Sequence, residues 1–255
     1  MTVVKIGGNV INDAKQLECF LEYFARLEGH RILVHGGGRK ANELASALSV
    51  ETQMVGGRRI TDEAGLEIVT MVYAGLLNKT IVAGLQALGC NGIGLSGADG
   101  NSIEAHKRRG SEIDYGYAGD IDAVDSGLIS TLLRSGLTPV FCAITHDGKG
   151  QLLNTNADTV ASELARGLSE EFEVELIYCF EKDGVLGDPE DETSVIERMD
   201  LEKYAEMKEL GLVSEGMLPK LENCFSALGK GVSRVLIGKA ELLKDANRKH
   251  TVLTL

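Results

Sequence analysis

The sequence predicts an α/β fold, a three-layer α/β/α sandwich on a mostly parallel central sheet. Short β-branched runs alternate with longer stretches of helical periodicity. Strand–loop–helix units repeated in this way build parallel sheets with helices on both faces. Glycines also cluster where strands end, at Gly7-Gly8, Gly36-Gly37-Gly38 and within Ser96-Gly97-Ala98-Asp99-Gly100. Ligands of such sheets bind at the carboxyl ends of the strands.

The elements follow in order. Val3 to Ile6 reads as a strand that breaks at Gly7-Gly8. Leu17, Phe20, Leu21, Phe24 and Leu27 then recur at helical spacing, with Asn12 or Asp13 as cap. Arg31 to Val34 is a second strand, and a helix follows its glycines through Leu48. Thr61-Asp62-Glu63 opens the next helix, with the hydroxyl as cap and acids in the first turn. It runs to about Leu76, and a further helical stretch reaches Leu88.

Asn91 to Leu95 is a strand, and residues 103–121 read as a hairpin punctuated by Gly110, Gly116 and Gly119. A helix over about 122–135 and a strand at Thr138 to Ile144 come next, and Asn154-Thr155-Asn156-Ala157-Asp158 precedes a helix to about Leu168. Val174 to Cys179 is a strand, helices fill 200–229, and Arg234 to Ile237 is the last strand.

The chain has 255 residues and a net charge of −12. Its pI near 4.9 argues against nucleic-acid partners and anionic membrane surfaces, which need a basic face. Five scattered cysteines without a C-x-x-C pair read as reduced, mostly buried thiols. The start, M-T-V-V-K-I-G-G, has no basic leader with an apolar run, and no apolar run is long enough to cross a bilayer. The expectation is a cytoplasmic chain.

In so acidic a chain, cations in glycine-rich loops point to small anions. K-I-G-G at 5–8 places Lys5 at a strand end beside backbone open to an anion. The plain alternative is a tight turn with a solvated lysine. H-G-G-G at 35–38 costs backbone entropy that a mere corner does not require, and its amides suit developing negative charge. His35 itself reads better as a buried, hydrogen-bonded residue than as a proton carrier. G-G-R-R-I-T at 56–61 sets two arginines side by side. N-T-N-A-D at 154–158 offers two amides and a carboxylate at a helix start, which is also what an ordinary cap looks like. E-G-M-L-P-K at 215–220 ends in Lys220, which taken singly reads as a surface residue. There is no Walker A pattern, kinase catalytic loop, metal-spacing cluster or nucleophile elbow.

Together and in this order, K-I-G-G, H-G-G-G, G-R-R-I-T, N-x-N-A-D and G-M-x-P-K resemble the amino acid kinase family over essentially the whole chain. Within that family the resemblance is to the members that phosphorylate the γ-carboxylate of N-acetyl-L-glutamate in arginine biosynthesis, using ATP with Mg2+. It implies that Lys5 and Lys220 neutralise the phosphoryl group in flight, and that Asp158 holds them. It further implies that Gly7, Gly8, Gly37 and Gly38 give amides to phosphoryl oxygens and that Arg59 clamps the α-carboxylate. Asn154 and Asn156 would contact the amino acid end. The lobes implied are 1–170 for the acylglutamate and dimerisation and 171–255 for the nucleotide, on one continuous sheet. No protein metal site is implied. Carbamate kinase shares the Gly7-Gly8-Asn9 opening, and a non-catalytic amino acid sensor is the rival from another class.

Three departures stand out. Arg58 replaces a leucine, and Ala118 in Gly116-Tyr117-Ala118-Gly119 replaces a valine. Both suit a larger anionic acyl group such as N-succinyl, or else a solvated arginine and a repacked alanine. On the nucleotide side a hydroxyl–aspartate pair is replaced by Phe180-Glu181 in Phe180-Glu181-Lys182-Asp183-Gly184. The chain begins almost at its first strand, without the N-terminal helix of arginine-inhibited hexamers, which implies a homodimer.

Overall fold

The computed structural model describes residues 1–55, 58–110, 113–188, 190–212 and 217–255. Gly56-Gly57 and Glu215-Gly216 of the motifs above lie outside the described residues.

The chain opens with β1 (Thr2–Ile6), α1 (Gly8–Asn12), α2 (Ala14–Ala25), β2 (Arg31–His35) and α3 (Gly38–Ala47). A hairpin follows, β3 (Gln53–Val55) and β4 (Arg58–Ile60), then α4 (Glu63–Thr70) and α5 (Asn78–Ala87) joined through π-helical Met71–Leu77. Next come β5 (Gly92–Leu95), β6 (Ile103–Lys107), β7 (Gly119–Val124), α6 (Ser126–Arg134) and β8 (Thr138–Cys142). The chain continues with β9 (Ile144–His146), β10 (Leu152–Asn154), α7 (Ala157–Leu168) and β11 (Glu175–Cys179). It ends with β12 (Arg198–Met199), α8 (Leu201–Glu209), α9 (Leu218–Gly229), β13 (Arg234–Gly238) and β14 (Thr251–Leu253).

Residues 1–31 with 161–255 make one compact unit, and residues 32–160 make the other. This division departs from the expected 1–170 and 171–255. The reason is register: β1 pairs in parallel with β11, Lys5 opposite Tyr178 and Ile6 opposite Cys179, which ties the N-terminus to the C-terminal part. Sheet order in the first unit is β12-β14-β13-β11-β1. Cys179 also lies opposite Gly238, so β1, β11 and β13 end level with one another. Val3, Val4, Leu176, Tyr178, Val235 and Ile237 from these strands are buried.

In the second unit β2, β8 and β5 are parallel neighbours, with His35 opposite Cys142 and Leu95 opposite Phe141. A separate sheet runs β10-β9-β6-β7. The expected 103–121 hairpin is therefore present, but its second strand runs to Val124 and delays the next helix to Ser126. The β3–β4 hairpin, β10, β12 and β14 went unforeseen because runs of two or three residues carry no measurable period.

The two helical stretches after Thr61 fuse into one helix, Glu63–Ala87, of 25 residues. Its most apolar window reaches mean hydropathy 1.5, so by length and composition it is long and apolar enough to cross a membrane. This corrects the expectation that no such run exists, since each stretch alone looked too short. Leu66, Val69, Val72, Ile81 and Leu85 are buried along it, the pattern of a core helix.

Candidate active site

In the first unit Lys5 is the last residue but one of β1, half-buried between Val4 and Ile6. The Gly7 N–H donates to Cys179 O at 2.7 Å, which fixes the turn against the end of β11. Gly8 opens α1 and is exposed, with no protein atom near the place of a side chain. Lys220 sits in the first turn of α9, its ammonium 5.0 Å from the ring centre of Phe180. Lys5, Gly7, Gly8, Phe180 and Lys220 line one cavity of about 480 Å³. Leu186, Leu212 and Met217 give that cavity an apolar side. Lys182, which lines it, pairs with Glu192.

In the second unit β2 delivers the H-G-G-G loop to the N-terminus of α3. His35 is fully buried, and burial holds its pKa down at about 4. The neutral ring donates from Nδ1 to Gly36 O at 2.8 Å and accepts at Nε2 from the Asn78 amide at 3.1 Å. It is a structural residue, as its sequence setting suggests. Gly37 is required by close approach: a Cβ there would lie 2.4 Å from Leu77 Cδ1 and 2.9 Å from Tyr73 Cδ1.

Arg59 reaches back to the same helix start. It donates to Gly38 O at 3.2 Å, to Thr52 Oγ1 at 3.2 Å and to Asn42 Oδ1. Tyr73 is buried, which raises its phenol pKa, while the neighbouring Arg59 charge and hydrogen bond pull it back. Successive residues of a strand face opposite ways. Arg58 accordingly leaves Arg59 and is exposed, and its charge acts instead on Asp120. Asp120 is held below the usual carboxylate range chiefly by its hydrogen bonds from Arg108, whose Nε lies 3.0 and 3.1 Å from the two oxygens.

Thr61 is a correction to the sequence reading. The cap of the long helix is Asp62, whose carboxylate accepts from Gly65 N at 2.7 Å. Thr61 is fully buried and accepts at Oγ1 from the Asn154 amide at 2.9 Å. Its backbone pairs with Tyr115 and Tyr117, and Gly116 packs so closely that a Cβ would lie 2.1 Å from Thr61 O. Ala118 bridges to Asn154 and is buried. Asn156 Oδ1 caps α7, accepting from Asp158 N at 2.7 Å and Thr159 N at 3.2 Å. Asp158 stands in the first turn of α7, and Gly36 lies against Ala157, so the N-T-N-A-D turn adjoins the H-G-G-G loop.

The structure thus gathers Lys5, Gly7, Gly8 and Lys220 in one unit. In the other it gathers Gly37, Gly38 and Arg59, with Ala118, Asn154, Asn156 and Asp158 beside the same loop region. Arg58 does not join Arg59. Asn42, Thr52 and Tyr73, which hold Arg59, escaped the sequence reading. Asn42 alone carried a signal, four residues after Gly38 and so on the same helix face.

Among the described residues no group of three His, Cys, Asp or Glu side chains is placed to hold a metal ion.

This chain belongs to the amino acid kinase family, whose profile matches residues 1–239. Its full-length relatives are more particular. It is 49% identical, over 97% of its length and 96% of the relative's, to the acetylglutamate kinase of Phocaeicola vulgatus. It is 51% identical, over 99% of its length and 96% of the relative's, to that of Cytophaga hutchinsonii. Among solved structures, N-acetylglutamate synthase from Neisseria gonorrhoeae shares the fold with a TM-score of 0.85 at 21% identity, covering 100% of this chain and 59% of that one. Carbamate kinase from Giardia lamblia does so with a TM-score of 0.71 at 14% identity, covering 99% of this chain and 97% of that one.

Proposed function

We propose that the chain transfers the γ-phosphoryl group of ATP to the γ-carboxylate of N-acetyl-L-glutamate, a step of arginine biosynthesis. The observation that carries this reading is the cavity that joins two lysines to an exposed glycine turn, in a chain with full-length acetylglutamate kinase relatives. A carboxylate oxygen attacks the γ-phosphorus, the bond to the β–γ bridging oxygen breaks, and ADP leaves with an acyl phosphate formed. The nucleophile is already ionised at neutral pH, so no general base is needed. Catalysis then consists of alignment and of charge stabilisation in a loose, anionic transition state.

Lys5 and Lys220 supply the cations, and the Gly7, Gly8, Gly37 and Gly38 amides supply donors without a charge to be paired. The family resemblance gives Asp158 the role of orienting the lysines. Arg59 holds the substrate α-carboxylate, pre-aimed by Asn42, Thr52 and Gly38. Asn154 and Asn156 contact the amino acid end. Mg2+ would enter on the ATP phosphates, as suits a hard cation that keeps most of its water, and would supply neutralising charge there. The chain works as a homodimer.

A second reading, the same transfer to N-succinyl-L-glutamate, rests on Arg58. Arg58 is exposed, and its charge adds weakly to the hold that Arg108 has on Asp120. Coupled ADP release, with trapping of the acyl phosphate by hydroxylamine, tests both substrates. Absence of turnover with either removes the kinase reading.

A further inference from the structure

We infer that the ring of Phe180 seats the Lys220 ammonium and so positions it for phosphoryl transfer. The inference rests on the kinase reading and deepens it, at the position where the nucleotide-side turn departs from the family pattern.

Phe180 is anchored from both sides. It directly follows β11, and its N–H donates to Gly238 O at the end of β13 at 3.0 Å. The carbonyl of the preceding Cys179 accepts from Gly7 N at the end of β1 at 2.7 Å. The residue is therefore tied to the level carboxyl ends of three adjacent strands. It is 8% exposed, and a Cβ on Gly7 would lie 3.3 Å from its own Cβ.

Lys220 Nζ lies 5.0 Å from the ring centroid, within the roughly 6 Å reach of a cation–π attraction. Ring and ammonium line the same cavity as Lys5, Gly7 and Gly8. A lysine has a long, freely rotating stem, so its charge needs a seat to be preorganised. The negative face of an aromatic ring provides one while adding no net negative charge beside an incoming polyphosphate. Phe180 is thus a positioning residue, acting through Lys220.

Graded fluorination separates this role from packing. Placing 4-fluoro-, 3,5-difluoro- and 3,4,5-trifluorophenylalanine at 180 in the full chain weakens the ring face stepwise while nearly keeping its shape. The expected result is a stepwise fall in kcat, reaching about tenfold for the trifluoro ring, with KM for ATP changed less than about twofold and Phe180→Tyr retaining most of kcat. In a Lys220→Ala background the residual kcat is expected to be flat across the series. A flat kcat in the otherwise active chain overturns the inference, as does a series that moves KM for ATP alone, which assigns the ring to the nucleotide base. A parent chain without turnover overturns the kinase reading, and this inference with it.

Discussion

Asn78 donates its side-chain amide to Nε2 of His35 at 3.1 Å, and the same nitrogen reaches Val140 O at 2.9 Å. That pair locks a neutral imidazole beneath the H-G-G-G loop. The folded ring stays unprotonated down to about pH 4, against 6.5 for an ordinary histidine. Between those values the unfolded chain binds more protons, so this contribution to stability is complete above pH 6.5 and is lost as the pH falls toward 4. Urea unfolding at pH 8 and pH 5 is expected to show a loss about 2 kcal/mol larger in the parent than in His35→Gln. Equal losses would contradict the assignment.

Gly116 holds φ +65 with a Cβ position 2.1 Å from Thr61 O, whereas Gly110 holds φ +81 in open space. Gly116→Ala is expected to destabilise by about 2–3 kcal/mol and Gly110→Ala by about 1 kcal/mol. Denaturant midpoints at constant m-value check the difference.

Arg59 is pre-aimed by three acceptors, so its loss should be felt in binding. Arg59→Ala is expected to raise KM for the acylglutamate by about 10–100-fold, the scale of a charged hydrogen bond. KM for ATP serves as the internal control and should stay within about twofold of the parent.

Lys5→Ala is expected to lower kcat by at least ~100-fold, the scale of one preorganised charge stabiliser. Rapid-quench measurement of acyl phosphate formation places the loss in the chemical step. An unchanged rate would remove Lys5 from the mechanism.

Arg58→Leu separates the two acyl readings. On the N-succinyl reading it weakens that substrate by about 1.5–3 kcal/mol and spares N-acetyl-L-glutamate. On the N-acetyl reading it changes neither kcat/KM, because an exposed arginine beside an already paired aspartate contributes little.

The turns that carry the candidate site are legible in the sequence. Lys5, Gly7 and Gly8 follow a β-branched strand, and Gly37 and Gly38 stand between a strand and a helix, so local chemistry alone marks them as strand-to-helix turns. Asn156 was legible as a cap because capping is local. The hydroxyl cap assigned to Thr61 was not. Its neighbour Asp62 does the same local work, while the threonine hydroxyl is claimed by Asn154, 93 residues away. The long helix was read as two pieces because its π-helical middle interrupts the 3.6-residue period.

By itself the sequence determined the alternation of strands and helices, the acidic charge against which each loop cation stands out, and the order of its glycine turns. These are local properties, set by periodicity and backbone freedom. Tertiary structure alone decided which side chains share a site. Parallel pairing of β11 with both β1 and β13 brings Gly7 to Phe180 and the ring to Lys220, and the face alternation of β4 sends Arg58 and Arg59 apart. Contacts between residues so distant along the chain depend on strand register, which a run of amino acids states only once the sheet has formed.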